Sequence, residues 1–198
     1  MPVEPALDPA RTAVLSMDMQ AGIVSIYAGD QQDAFTARAA GVLGRCRDRG
    51  VTVIHVQVGF RPGMPEISSR NALFAAIRTS ERHQQLFKGD AGKIHPAVAP
   101  VGEDVVIVKH RISAFTGTDL DMILHAKEID TLVLFGIATS GVVLSTLLDA
   151  VDADYRAIVI KDCCADQDAD VHSVLLEKVF PRRGTVVTSA ELLESLAG

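Results

Sequence analysis

Residues 132–150, LVLFGIATSGVVLSTLLDA, run from an apolar stretch through a turn of small residues into a helical pattern. Leu132 to Phe135 suit a strand buried on both faces, and Gly136, Ala138, Ser140 and Gly141 permit a sharp turn with close backbone approach. Strand, tight turn and helix in that order form the repeating unit of a parallel sheet with crossovers.

Five further runs rich in β-branched residues lie at 13–17, 51–58, 105–108, 157–160 and 185–187, spaced widely enough to hold a helix between them. Their lack of polar alternation predicts helices on both sides of the sheet. Between them Phe35, Ala39, Val42, Leu43 and Cys46 recur at helical spacing, with Gly50 placed as a C-cap. Thr118 with Asp121 and Thr188 with Glu191 read as capping boxes, and Asp170 as the cap of a helix that Pro181 stops. The predicted fold is α/β, a three-layer α/β/α arrangement in a single domain over residues 1–198. Residues 59–100 break the alternation. A connection of that length reads as a long loop or lid insertion that walls a binding site, or as a solvated insertion used in oligomer contact.

The chain has 198 residues, 48% hydrophobic and 22% charged, with a formal charge of −6. That charge argues against a nucleic-acid surface, and no apolar run is long enough for a membrane span. The opening MPVEPALDPARTAV has neither a basic start nor an apolar core, so a cytoplasmic location is expected. Cys46, Cys163 and Cys164 have no metal spacing and read as reduced thiols. The histidines likewise show no metal spacing, so neither metal nor cofactor is expected. His55, within its strand, reads as a core or sub-site residue.

In an open parallel sheet, ligands bind beyond the carboxyl ends of the strands, where strand order reverses. The polar residues at those ends are Asp18 and Gln20, Lys109 and Arg111, Thr139 to Gly141, and Asp162. Asp18 and Lys109 each end an almost wholly apolar run, TAVLSMDMQ and DVVIVKHR. A carboxylate and an ammonium so placed can enter a partly buried site as a pair, either for chemistry or as a structural ion pair. Amides near Gly141 can face an oxyanion. Thr139 and Ser140 show no evident activating histidine, and no G-x-S-x-G elbow is present.

At these residues the sequence resembles the isochorismatase-like hydrolase superfamily, the cysteine hydrolases. The resemblance rests on LSMDMQ (15–20), IHP (94–96), VKHRISAFTGTDLDMIL (108–124), LVLFGIATSGVVLSTLLDA (132–150) and the DCCAD run (162–166), in family order along nearly the whole chain. It implies a Rossmann-like six-stranded sheet in order 3-2-1-4-5-6, a homodimer or homotetramer, a cis peptide at Ile137–Ala138, and catalytic roles for Asp18 and Lys109. In the amidases the turn reads G-V-x-T-x-x-C-V, and GIATSGVV then sets Val142 where the nucleophilic cysteine belongs. A register in which Ser140 or Gly141 takes that position is the alternative. Isochorismatases also lack the cysteine, and the metal-binding Asp-x-His of nicotinamidases is missing from QVGFRPGMPE.

The resemblance implies a hydrolase that works without a cysteine nucleophile on a small, anionic molecule. It would break a vinyl ether or C–N bond, with Gln20, Arg61, Arg111 and Gly141 as substrate contacts. General-acid work by Asp18 then requires desolvation to outweigh the neighbouring cation. A catalytically silent member that binds a metabolite or protein is the competing expectation.

Overall fold

The computed structural model describes residues 7–196, so residues 1–6 of the segment behind the leader expectation lie outside the described residues. Six strands, β1 (Thr12–Met17), β2 (Thr52–Val58), β3 (Val105–Lys109), β4 (Thr131–Ile137), β5 (Arg156–Ala165) and β6 (Thr185–Val187), form one parallel sheet ordered β3-β2-β1-β4-β5-β6. This is the order that the resemblance implies. Eight α-helices flank the sheet: α1 (Ala21–Ala28), α2 (Gln32–Asp48), α3 (Ala72–Thr79), α4 (Glu81–Gln85), α5 (Leu120–Ala126), α6 (Leu144–Asp152), α7 (Ala169–Val174) and α8 (Ser189–Ser195). Among the described residues, no helix is long and apolar enough to cross a membrane.

The two central strands, β1 and β4, are buried along their whole length. Removing their Val, Leu and Ile side chains from water gives the sheet its main stabilisation, at roughly 25 cal/mol per Å² of apolar surface. β3 departs from the expected continuous burial. It is an edge strand, and Val106 and Val108 remain about half exposed. β5 is longer than its apolar run suggests. Its pairing with β4 shifts between Leu134 and Gly136, which carries Asp162, Cys163 and Cys164 within the strand rather than after it.

The helix ends follow the sequence in part. Gly50 adopts φ +76° after α2, while the Val51 and Gly50 amides return to the Cys46 and Arg47 carbonyls in a Schellman closure. The Thr188–Glu191 capping box forms at α8. The other two caps need correction. At α5 the N-cap is Asp119, without a side-chain bond, while the Thr118 hydroxyl donates to the Ala114 carbonyl and accepts from the Leu120 amide in place of that of Asp121. At α7 the cap is Asp168, whose carboxylate accepts from the Asp170 and Val171 amides.

The insertion between β2 and β3 is anchored at its returning end. Gln20 pairs with Ile94 as an isolated antiparallel bridge, and the amides of Ala21, Gly22 and His95 bond to Lys93, Ala91 and Met19. Its outward part carries α3 and α4, which form a wall over the carboxyl ends of the strands.

Candidate active site

The reversal of strand order falls between β1 and β4, and the chain leaves both strands there in unusual conformations. Asp18, directly after β1, has φ +55°, with its amide bonded to the Val56 carbonyl of β2. On the other side Gly136 has φ +147°, and a Cβ at that position would overlap the Met17 carbonyl oxygen. Only glycine lets β4 run this close to the end of β1. The following Ile137–Ala138 peptide is cis.

Lys109 ends β3, two strands away, and extends across the end of β2. Its Nζ lies 2.9 Å from Asp18 Oδ2 and donates to the carbonyls of Arg111 and Ile112, both at 3.0 Å. Three acceptors use all three ammonium protons, which permits a side chain only 2% exposed to remain charged. Asp18 is less completely served. Its Oδ1 is buried without a hydrogen-bond partner. Burial pushes the Asp18 carboxyl up, and the attraction of Lys109 opposes that shift without cancelling it. Desolvation therefore does outweigh the cation.

Asp18 and Lys109 open into a cavity of about 190 Å³. Ile137, Ala138, Gly141 and Val142 form its floor at the end of β4, while Leu73, Phe74, Ile77, Leu86 and Phe87 close it from the insertion. Tyr27 of α1 supplies its third polar side chain. Burial, then the charges of Asp166 and Asp18, push the Tyr27 hydroxyl up, so it keeps its proton and can donate it. The structure thus brings together Asp18, Lys109, Ile137, Ala138, Gly141 and Val142.

Three other expected site residues lie outside this lining. Gln20 is fully buried, and its amide accepts from the Val58 N–H and donates to the Val58 and Gly92 carbonyls. It fastens the insertion to β2. Arg111 donates to the His110 and Glu66 carbonyls and lies 5.9 Å from the centre of the Phe74 ring, so it braces the wall from behind. Arg61 is 67% exposed and held at 2.6 Å by Glu66. In each case the insertion provides a partner, and for Gln20 and Arg111 the sequence gives no means of pairing residues 72 and 45 positions apart.

The cysteines and hydroxyls also find definite places. Cys46, Cys163 and Cys164 are free, buried and outside the cavity lining, and burial pushes the Cys164 thiol up to about 12. Thr139 does have a histidine, contrary to expectation, since its Oγ1 lies 2.8 Å from Nδ1 of His172 on α7. That hydroxyl is fully buried and does not line the cavity. Asp162 accepts from the amide and hydroxyl of Ser189, which fixes the start of α8. His55, in the core as expected, lies 3.2 Å from Asp104. Among the described residues, no group of three His, Cys, Asp or Glu side chains could hold a metal ion.

The apolar wall was the part of the site that sequence reasoning missed. Leu86 and Phe87 sit inside the polar run ERHQQLFKGDAGKIHP, and only their adjacency hints at a buried face. Phe74 and Ile77 belong to a short helical pattern that predicts a helix but not what it covers.

Comparison with known proteins gives the family. The chain is 32% identical to maleamate amidohydrolase of Pseudomonas putida over 82% of its own length and 75% of that protein's. It is also 32% identical to the ureidoacrylate amidohydrolase RutB of Agrobacterium fabrum, over 91% of this chain and 89% of the relative. An isochorismatase family protein of Burkholderia thailandensis superposes with a TM-score of 0.83 at 28% identity, covering 98% of this chain and 99% of that one. Residues 12–191, which span the sheet, the insertion and the acid–ammonium pair, match the isochorismatase domain, and the chain belongs to that family.

Proposed function

We propose that this protein hydrolyses a C–N bond in a small molecule through Asp18 and Lys109, with water in place of a cysteine nucleophile. The observation that carries the reading is the Asp18 carboxyl itself. One oxygen is held by Lys109, the other is buried without a hydrogen-bond partner among the described residues, and the residue lines a largely apolar cavity. A carboxyl so placed exchanges protons with whatever enters. The names of the relatives, which act on maleamate and ureidoacrylate as amidohydrolases, favour an amide over a vinyl ether.

In this mechanism the Asp18 carboxylate takes a proton from water on Oδ1 as the water oxygen attacks the carbonyl carbon. The C–N bond then breaks as Asp18 returns that proton to the departing nitrogen. Lys109 stays fixed on Oδ2 and on two backbone carbonyls throughout, so it stabilises the ionised form without moving. An upward-shifted carboxyl has a proton affinity closer to neutrality, which eases both transfers. Val142 stands in the position of the family cysteine and contributes shape alone. The reacting end of the substrate is uncharged, because the one cation lining the inner cavity already has three partners.

The test is turnover of a panel of small amides, with isochorismate included, by wild type and Asp18→Asn. Ammonia release that falls about 10²-fold or more in the variant is the expected result. Turnover unchanged by Asp18→Asn would overturn the reading. A second reading, a family member that binds without reacting, draws support from the absence of any thiol or imidazole in the cavity lining among the described residues. It expects silence across the panel, with Asp18→Asn changing stability alone.

A further inference from the structure

A second cavity, of about 570 Å³, lies in the insertion against the first and is chemically its opposite. Arg61, Arg78 and Lys88 line it, together with Phe60, Gln84 and Phe87, and no acidic residue does. Glu66 takes up Arg61 at 2.6 Å. Among the described residues, Arg78 bonds to the Ile67 carbonyl alone, at 3.4 Å, and Lys88 to the Gln84 amide oxygen alone, at 3.1 Å. Two cations without an ion pair thus converge on one concave surface in a chain of formal charge −6. A concave surface lined by one sign of charge concentrates the opposite sign from solution.

The two cavities share a wall. Phe87 lines both, and the Phe60 ring stands edge-on to Phe87 at 5.6 Å and to Phe74, another inner-cavity residue, at 6.0 Å. We infer that the outer cavity holds the oxyanion of the substrate, a carboxylate or phosphate monoester met by Arg78 and Lys88, while the uncharged reacting end passes the Phe60–Phe87 pair to reach Asp18. This inference rests on the proposed hydrolysis for its reacting end, but the anion site is testable without turnover. It also moves the expected anion contacts from Arg111 and Gln20, which are occupied elsewhere, to two residues on the exposed side of the insertion. The aromatic partition favours a short apolar spacer between the two ends.

Calorimetric titration with 3-phenylpropionate, phenyl phosphate and the neutral 3-phenylpropan-1-ol tests the anion site. At least one anion should bind ten times or more tightly than the alcohol, and rising salt should erode that preference. The double variant Arg78→Gln/Lys88→Gln should lose the preference, while Asp18→Asn should retain it. Both substituted cations are exposed, and an unchanged melting temperature would confirm that the double variant folds. Equal binding of anions and alcohol, or a preference that survives the double substitution, would overturn the inference. Anion preference without Asp18-dependent turnover would sink only the hydrolytic reading, and the converse result only this one. Where a substrate is found, the double variant should raise KM with kcat nearly unchanged.

Discussion

Lys109 holds one oxygen of Asp18 at 2.9 Å and leaves the other buried with no hydrogen-bond partner among the described residues. The pair is lopsided in its satisfaction: the cation has every proton placed, and the acid has an oxygen to spare. Removal of the two partners should therefore have unequal consequences. Lys109→Met strands a buried carboxyl and two carbonyls, and should cost about 3–5 kcal/mol. Asp18→Asn keeps a polar group beside an ammonium that still has two carbonyl acceptors, and should cost less. Chemical denaturation of both variants measures the difference, and equal losses would contradict the asymmetry.

Val142→Cys would place a thiol in the cavity beside Asp18 and Lys109. The native cysteines are buried, with Cys46 and Cys164 pushed up to about 12, so they should resist alkylation at neutral pH. The variant should take up one equivalent of iodoacetamide well before the native chain takes up any. Mass spectrometry of timed samples reads this directly. Uptake no faster than wild type would show that the Val142 side chain does not face the cavity.

Gly136→Ala should destabilise the fold by roughly 2–4 kcal/mol, through a disfavoured backbone angle and overpacking. The new methyl would meet the Met17 carbonyl, so the damage should spread to the Asp18 end of β1. Thermal melting checks the first effect. Any turnover assay then finds more activity lost in the folded variant than its stability explains.

Two buried acids give the fold opposite pH responses. Burial raises Asp18, so the folded chain binds that proton more tightly than the unfolded chain. Its contribution is complete below the unfolded value and is lost as pH rises through the folded one. Burial also pushes Asp104 up, but hydrogen bonds from Arg47, the Val101 amide and His55 outweigh it and leave the carboxyl below its usual range. That contribution is present above the unfolded value and is lost as pH falls through the folded one. Asp104→Asn should cost about 1–3 kcal/mol near neutrality and flatten the loss of stability in acid. Denaturation at pH 7 and pH 3 should show the variant and wild type converging at the lower value.

Asp18 and Lys109 were legible because each interrupts an apolar strand at its end, where burial leaves a charged residue few reasons to be. The parallel sheet was legible for the related reason that continuous Val, Ile and Leu runs have no other economical use. Arg111 and Gln20 looked similar in sequence but serve the backbone of the insertion, and that depends on contacts with Glu66 and Gly92 that no local pattern encodes. Phe87 was invisible for the opposite reason. Its polar neighbours signal a solvated loop, while the fold turns this one ring inward between two cavities.

The antiparallel seam between residues 19–22 and 91–95 is where the insertion is tied back to the body of the fold. The stretch between Gly59 and Ala91 hangs from a hem sewn to the segment that follows Asp18, so a change within it reaches the acid by altering what buries it rather than by moving its backbone. A library confined to residues 60–90 would vary what the protein recognises and, through the wall that keeps water from Asp18, how tightly the acid holds its proton.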